Sequence, residues 1–410
     1  MPNSTRVLLA RQPIFDQQLQ TIGYELLCRP IPMADEEWQV ASGDSATSEV
    51  LISAFDELGI EEVTSGLPAY INFTEHWLNN PPPFTPKHVV VEILEHITAT
   101  DQNIDAVKQL KATGFTIALD DYHGDPMQDG FLPYIDIIKV DLKTTPDITS
   151  VAKMIQEKGL NNFLWLAEKV ETQGMYEACL EVGFSSFQGY FFSRPADVYG
   201  KKQSNNKTVV LDLLASLQDP EITIIDLETK ISADPSLSFR LLKLVNSASF
   251  AQQTQVDSIQ RALAIAGLDQ VKSWVTMLSL GSLENKPHEL RVQSLQRAYF
   301  CSHLADCISK IDKDVAFTAG LLSNIDAYFD APLAALLEKI HLSEDIRDAL
   351  MKRSGRLGFV YTTVRAMELG QWENIRWDMW QKAGLSPSQI EEYYLESIRE
   401  AEKIISVVST

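Results

Sequence analysis

Seven polar residues in the first half of the chain stand within or just past short apolar runs. They are Glu25 in IGYELL, Asn72 in AYINF, Glu92 in VVVEIL, Asp120 and Asp121 in TIALDD, Lys139 in DIIKVD and Glu168 in LWLAEK. Carboxylate and amide oxygens are the hard donors that divalent cations such as Mg²⁺ and Mn²⁺ prefer. Lys139 lies between Ile138 and Val140, where a strand covered on both faces seldom admits a lysine without a charged partner. Singly, each acid or amide reads as a helix cap or a solvated loop residue. Together, at strand ends, they read as one metal-binding site.

Residues so far apart in sequence meet only if the apolar runs are parallel strands of one barrel, whose C-terminal rim collects side chains from many strands. The strand candidates are RVLLA, TIGYEL, AYINF, HVVVEIL, FTIALD, IDIIKV, FLWLAE and FSSFQGYFF, eight in all. Helical patterns with readable caps fall between them, at Ser48 to Leu58, Asp101 to Ala112 before Gly114, Asp147 to Lys158 before Gly159, and Glu171 to Glu181 before Gly183. This alternation predicts a TIM-type (β/α)8 barrel over residues 1–198. The polar, aperiodic stretch at 199–207, YGKKQSNNK, predicts a linker. Beyond it, residues 208–410 show the helical period throughout, including the stretch after Asp234 with Pro235 at its first turn, and predict an all-α domain.

Residues 1–200 hold 12 Lys and Arg against 29 Asp and Glu, and the remainder holds 23 against 27. The acidity is therefore concentrated in the barrel half. Neither half offers the basic stripe that a nucleic-acid groove requires. No apolar run approaches the length that spans a bilayer, and the N-terminus lacks signal-peptide character, so a cytoplasmic protein is expected. Cys28, Cys179, Cys301 and Cys307 form no CxxC pair and are expected as reduced thiols.

The ordered set RQPIFD, YELLCRP, INF, VEILE, ALDDY, IDIIKVD, LAEKVET and FQGYFFSRP, over about residues 5–198, resembles the EAL domain family. That family comprises cyclic di-GMP phosphodiesterases and non-catalytic relatives. The resemblance implies a two-metal site for Mg²⁺ or Mn²⁺, with Glu25, Asn72, Glu92 and Asp120 on one ion and Asp120 and Asp121 on the second. It places Lys139 and Glu168 in the catalytic centre, Arg29 on substrate phosphate, Gln188 in the same centre, and Glu95 as a brace for the loop after the paired aspartates. Where the family has an aromatic and a Gly-Thr-Gly loop, this chain has Tyr122, His123, Gly124, Asp125 and Pro126, with His123 and Asp125 as further candidate ligands. Lys169 replaces a family glycine and puts a charge beside Glu168.

The C-terminal half, with DPSLSFRLLKLVNSASF and SIQRALAIAGL, is similar to the HDOD domain, an all-α relative of the metal-dependent HD phosphohydrolases. Active HD enzymes carry an adjacent His-Asp pair. This chain has Ser323 and Asn324 after Gly320, Leu321 and Leu322, and a hydroxyl and an amide bind metal far more weakly. His303 and His341 read as partly buried structural residues. The expectation is a cyclic di-GMP phosphodiesterase whose HDOD domain binds a protein partner, with a homodimer through the barrel implied by the family. The other reading is an inactive EAL-HDOD chain acting as a cyclic di-GMP receptor or adaptor.

Overall fold

A computed structural model describes residues 7–30, 59–145, 147–160, 162–193, 205–219, 221–232, 237, 240, 241, 244, 245, 259–281, 286–308, 310–338 and 342–409. Its contacts divide the chain into two compact units. One is Met1–Phe191 with Ala366–Asn374, and the other is Phe192–Arg365 with Ile375–Thr410. The helix expected at Ser48 to Leu58 and His341 lie outside the described residues.

The first unit is a closed barrel of eight strands in sequence order. These are β1 (Val7–Asp16), β2 (Thr21–Pro30), β3 (Ala69–Phe73), β4 (Val89–Ile93), β5 (Thr116–Leu119), β6 (Ile137–Asp141), β7 (Leu164–Glu168) and β8 (Ser186–Gln188). Strands β2 to β8 are parallel, but β1 runs antiparallel to both neighbours, β2 and β8. The expected all-parallel arrangement is corrected here, and the reason is length. Only residues 17–20 join β1 to β2, whereas a parallel crossover needs a dozen residues or more. The Asp16 carboxylate closes that turn by accepting from the amides of Gln18 and Gln20 at 2.8 and 2.9 Å.

The helices between strands are α1 (Ile60–Val63), α2 (Glu75–Asn79), α3 (Asp101–Ala112), α4 (Ile148–Lys158) and α5 (Gln173–Val182). Thr100, Asp147 and Thr172 cap α3, α4 and α5 through their side-chain oxygens, satisfying first-turn amides. Strands β4 and β6 are buried along their whole length, as expected of parallel strands covered on both faces. Ile14, Tyr70, Val90, Ala118, Ile137 and Leu166 pack together as one buried layer. Two residues further along five of these strands come Asn72, Glu92, Asp120, Lys139 and Glu168. Because side chains alternate with period two, all five share that layer's side of the wall, one step nearer the C-terminal rim.

The second unit is helical. Its helices are α6 (Asn205–Leu217), α7 (Ile224–Ser232), α8 (Ile259–Ala266), α9 (Leu268–Gly281), α10 (His288–Asp306), α11 (Lys313–Leu322), α12 (Ile325–Phe329), α13 (Leu333–Leu337), α14 (Glu344–Lys352), α15 (Gly355–Glu368), α16 (Trp377–Lys382) and α17 (Pro387–Ser409). Residues 205–207, expected in the linker, already belong to the first turn of α6. Of the stretch after Asp234, the described Leu237, Leu241, Leu244 and Val245 are helical and buried. Helix α10 is the core of the bundle and packs on α11 and α17. Gly320 permits the α10–α11 approach, since a Cβ there would lie 2.6 Å from the Cα of Ala298. Among the described residues no helix is long and apolar enough to cross a membrane.

Candidate metal centre at the barrel rim

Lys139, at the middle of β6, is the hub of the rim. Its Nζ lies 2.6 Å from Glu92 Oε1, 2.7 Å from Glu168 Oε1, 2.9 Å from Asp120 Oδ1 and 4.0 Å from Glu25 Oε2. Around this hub the amides orient the acids. Asn72 Nδ2 donates to Glu25 Oε1 at 3.2 Å, and Gln188 Nε2 donates to Glu25 Oε2 at 2.6 Å and to Gln12 Oε1 at 3.1 Å. Asp120, Asp121 and Glu168 each offer an oxygen within 4.8 Å of the others. The structure thus brings together Glu25, Asn72, Glu92, Asp120, Asp121, Lys139, Glu168 and Gln188.

So many acids in one desolvated place cannot all carry full charge cheaply. Burial pushes the Glu92 carboxyl well above the carboxylate range, against the pull of Lys139 and reinforced by Glu25 and Asp120. Burial likewise pushes Glu168 up to about 8, with Lys139 opposing and Asp120 and Glu25 adding to it. Asp121 is raised by burial and by the neighbouring Asp120 and Asp141. For Lys139, burial disfavours the ammonium, but the fields of Glu168, Glu25, Glu92 and Asp120 outweigh it and hold the charge on. A centre with a surplus of acid over base is one that added cations would neutralise.

The donor set fits hard divalent cations. Asn72 Oδ1, Asp121 Oδ1 and Gln188 Oε1 are buried and accept no hydrogen bond from the described residues. Buried oxygens of this kind ordinarily have a partner, and here they flank carboxylates. Glu25, Asn72, Glu92, Asp120 and Asp121 are the residues that would hold the ions, all through oxygen.

Three residues singled out in the sequence sit differently. Arg29 pairs with Leu8 across β1 and β2, and its side chain is outside what is described. Glu95 has an exposed side chain, and it is its carbonyl oxygen that holds the loop, accepting from Gln128 Nε2 at 3.0 Å. Lys169 gives its ammonium to the carboxylate of the buried Asp141 and is not among the main influences on Glu168. Two contributors escaped the sequence reading. Gln12 faces Glu25 across the hairpin, a register visible only once β1 is antiparallel, and Asp141, in IDIIKVD, needed the position of Lys169.

A model described as the EAL domain matches residues 59–195, and one described as the HDOD domain matches residues 205–339. Over 407 residues the chain is 34% identical to the uncharacterised protein YuxH of Bacillus subtilis, covering 96% of this chain and 97% of that one. Over 374 residues it is 32% identical to the cyclic di-GMP phosphodiesterase CdgJ of Vibrio cholerae, covering 90% of this chain and 86% of that one. The chain belongs to the EAL-HDOD family. Among solved structures, the cyclic di-GMP complex of the phosphodiesterase PaMucR is 20% identical, with a TM-score of 0.36, over 46% of this chain and 92% of that chain.

In the HDOD unit of this EAL-HDOD protein, Ser323 and Asn324 serve an internal cation. The guanidinium of Arg297, a residue 1% exposed, donates to Ser323 Oγ at 2.6 Å and to Asn324 Oδ1 at 2.7 Å. Asn324 in turn donates to Gln293 at 3.2 Å. A buried positive charge on these two side chains repels any metal ion there. Further along α10, His303 Nε2 lies 2.7 Å from Glu400 Oε2 and the ring stacks on Tyr393, a half-buried pair consistent with a structural role.

Proposed function

We propose that the EAL barrel, taken as residues 1–198, hydrolyses cyclic di-GMP to linear pGpG with two divalent ions, Mg²⁺ or Mn²⁺. The HDOD domain, taken as residues 208–410, is then a non-catalytic module that binds a protein partner. The convergence of Glu25, Asn72, Glu92, Asp120 and Asp121 on Lys139 and Glu168 carries this reading. The extended identity to CdgJ supports the substrate.

The reaction is attack of water on a phosphodiester. One P–O bond forms to the water oxygen, the P–O bond to the ribose 3′ oxygen breaks, and that oxygen leaves with a proton. Bound divalent ions would supply water activation and charge neutralisation at phosphorus. The chain's own residues supply the rest. Lys139 keeps Glu92, Asp120 and Glu168 at fixed spacing and brings positive charge to a site that must accept an anion. In this reading Glu168, at the end of β7 beside Asp120 and Asp121, takes the proton of the attacking water. Gln188 and Asn72 orient Glu25 from both sides. Arg29 is assigned to substrate phosphate by its motif, where a guanidinium fork matches the geometry.

The test is incubation of the full chain with cyclic di-GMP and either metal, with chromatographic separation of products, beside Glu25→Ala. The parent yields linear dinucleotide and the variant does not. Binding of cyclic di-GMP without product under both metals would make the barrel a receptor and end the enzymatic reading. A homodimer through the barrel and a cytoplasmic location belong to the same proposal, and sedimentation and fractionation read them.

A further inference from the structure

Asp121 has φ 42°, in the left-handed region that a residue with a Cβ enters only against steric resistance. Something must hold it there. On one side the amide of Asp120 donates to the carbonyl of Ile93 at 2.9 Å, and on the other the amide of Tyr122 donates to the carbonyl of Lys139 at 3.0 Å. The paired aspartates are thus strung between the end of β4 and the middle of β6. Their orientation depends on how firmly Tyr122 is anchored.

Tyr122 is fully buried, and its hydroxyl donates to Asp129 Oδ1 at 2.5 Å. The ammonium of Lys158, the last residue of α4, closes the arrangement. It reaches the two oxygens of Asp129 at 2.9 and 2.8 Å, the Tyr122 hydroxyl at 3.2 Å and the carbonyl of Gly124 at 3.1 Å. Gly159 ends α4 in the left-handed conformation, so the lysine is presented at a fixed helix terminus. The rest of the loop is pinned separately. His123 Nδ1 lies 2.9 Å from Thr145 Oγ1, and Asp125 accepts from the amide of Met127 at 2.9 Å. These two candidate ligands are engaged in shaping the loop.

We propose that Lys158, acting through Asp129 and Tyr122, is a positioning residue that aims Asp121 at the second cation of the rim. Lys158 and Asp129 are about one-third exposed, so as an ion pair they add little to folding. Their effect is local, on the direction of one carboxylate.

The inference rests on the two-metal reading of the barrel, and the test separates the two. Mn²⁺ binding to the full chain without substrate is followed by the paramagnetic resonance of free Mn²⁺, for the parent, Asp121→Asn, Lys158→Met, Asp129→Asn and Lys158→Arg. The parent is expected to take up two ions and Asp121→Asn one. Lys158→Met and Asp129→Asn are expected to keep the tight ion and weaken the other by about tenfold or more, as loss of a residue supporting a ligand does. Lys158→Arg, which can span the same acceptors, restores it. If Asp121→Asn still binds two ions, the metal assignment itself fails. If Asp121→Asn loses an ion while Lys158→Met and Asp129→Asn bind as the parent does, the metal assignment stands and the clamp is refuted. Loss of both ions together in the two clamp variants would mark a folding element and equally refute it.

Discussion

The Nζ of Lys139 stands 2.6 Å from Glu92 Oε1 with both side chains sealed from solvent. Removing one member of a buried charged pair costs more than the pair is worth, because the survivor is left desolvated and alone. Lys139→Met is therefore expected to lower the stability of the metal-free protein by about 3 kcal/mol, read by urea unfolding. Added Mn²⁺ should recover more stability in the variant than in the parent, since the ions would then face acids with no internal counter-charge. A variant as stable as the parent without metal would show that the acids do not depend on the lysine.

The HDOD half carries a pH response of its own. Burial disfavours charge on His303, but the hydrogen bond and field of Glu400, with Glu396 and Asp306, outweigh it and raise its pKa. A raised folded-state pKa means stabilisation that is complete below the ordinary histidine value and is lost as pH rises through the raised one. With both partners partly exposed, the unfolding temperature of this domain should fall by about 1–2 °C on going from about pH 6 to about pH 9. Glu400→Gln should flatten the profile, and an unchanged slope in that variant would assign the drop elsewhere.

Arg297→Met tests a second polar site on α10. The substitution keeps the aliphatic stem but strands the oxygens of Ser323 and Asn324, so a loss of about 2–3 kcal/mol is expected from calorimetry of the full chain. Mn²⁺ uptake at the barrel should remain at the parental level. An additional ion bound by the variant would mean that the serine and asparagine retain metal affinity once the guanidinium is gone.

The barrel was legible because its strands are buried on both faces. VVVEI and IIKVD read as continuous apolar runs with one polar intruder each, and an intruder in such a run has to face a partner. The rim residues followed from that alternation. Helix ends were equally plain, with Asp147 at one start and Gly159 and Gly183 after two ends, whereas Thr172 caps a helix whose start was expected at Glu171. What stayed hidden depended on pairing across distance. The direction of β1 is hidden because the apolar run RVLLA ends at Ala10, ten residues before TIGYEL, whereas the strand itself continues to Asp16 and leaves only a four-residue turn; Gln12, within that extension, is hidden with it. Lys158 and Asp129 lie 29 residues apart with no periodicity joining them, and the partner of Lys169 depended on where Asp141 points.

Strand β1 has a further consequence, for the order in which the molecule forms. It pairs with β2 through a local hairpin, but Ile14 meets Gln188 only after nearly all of the barrel sequence lies between them. Contacts of such separation pay the loop-closure cost before any reward, and they form late. The hydrogen bond from Gln188 to Glu25 is one of them. Its appearance reports that the ring has closed, so a refolding chain should acquire metal affinity as its final step, after its secondary structure is complete.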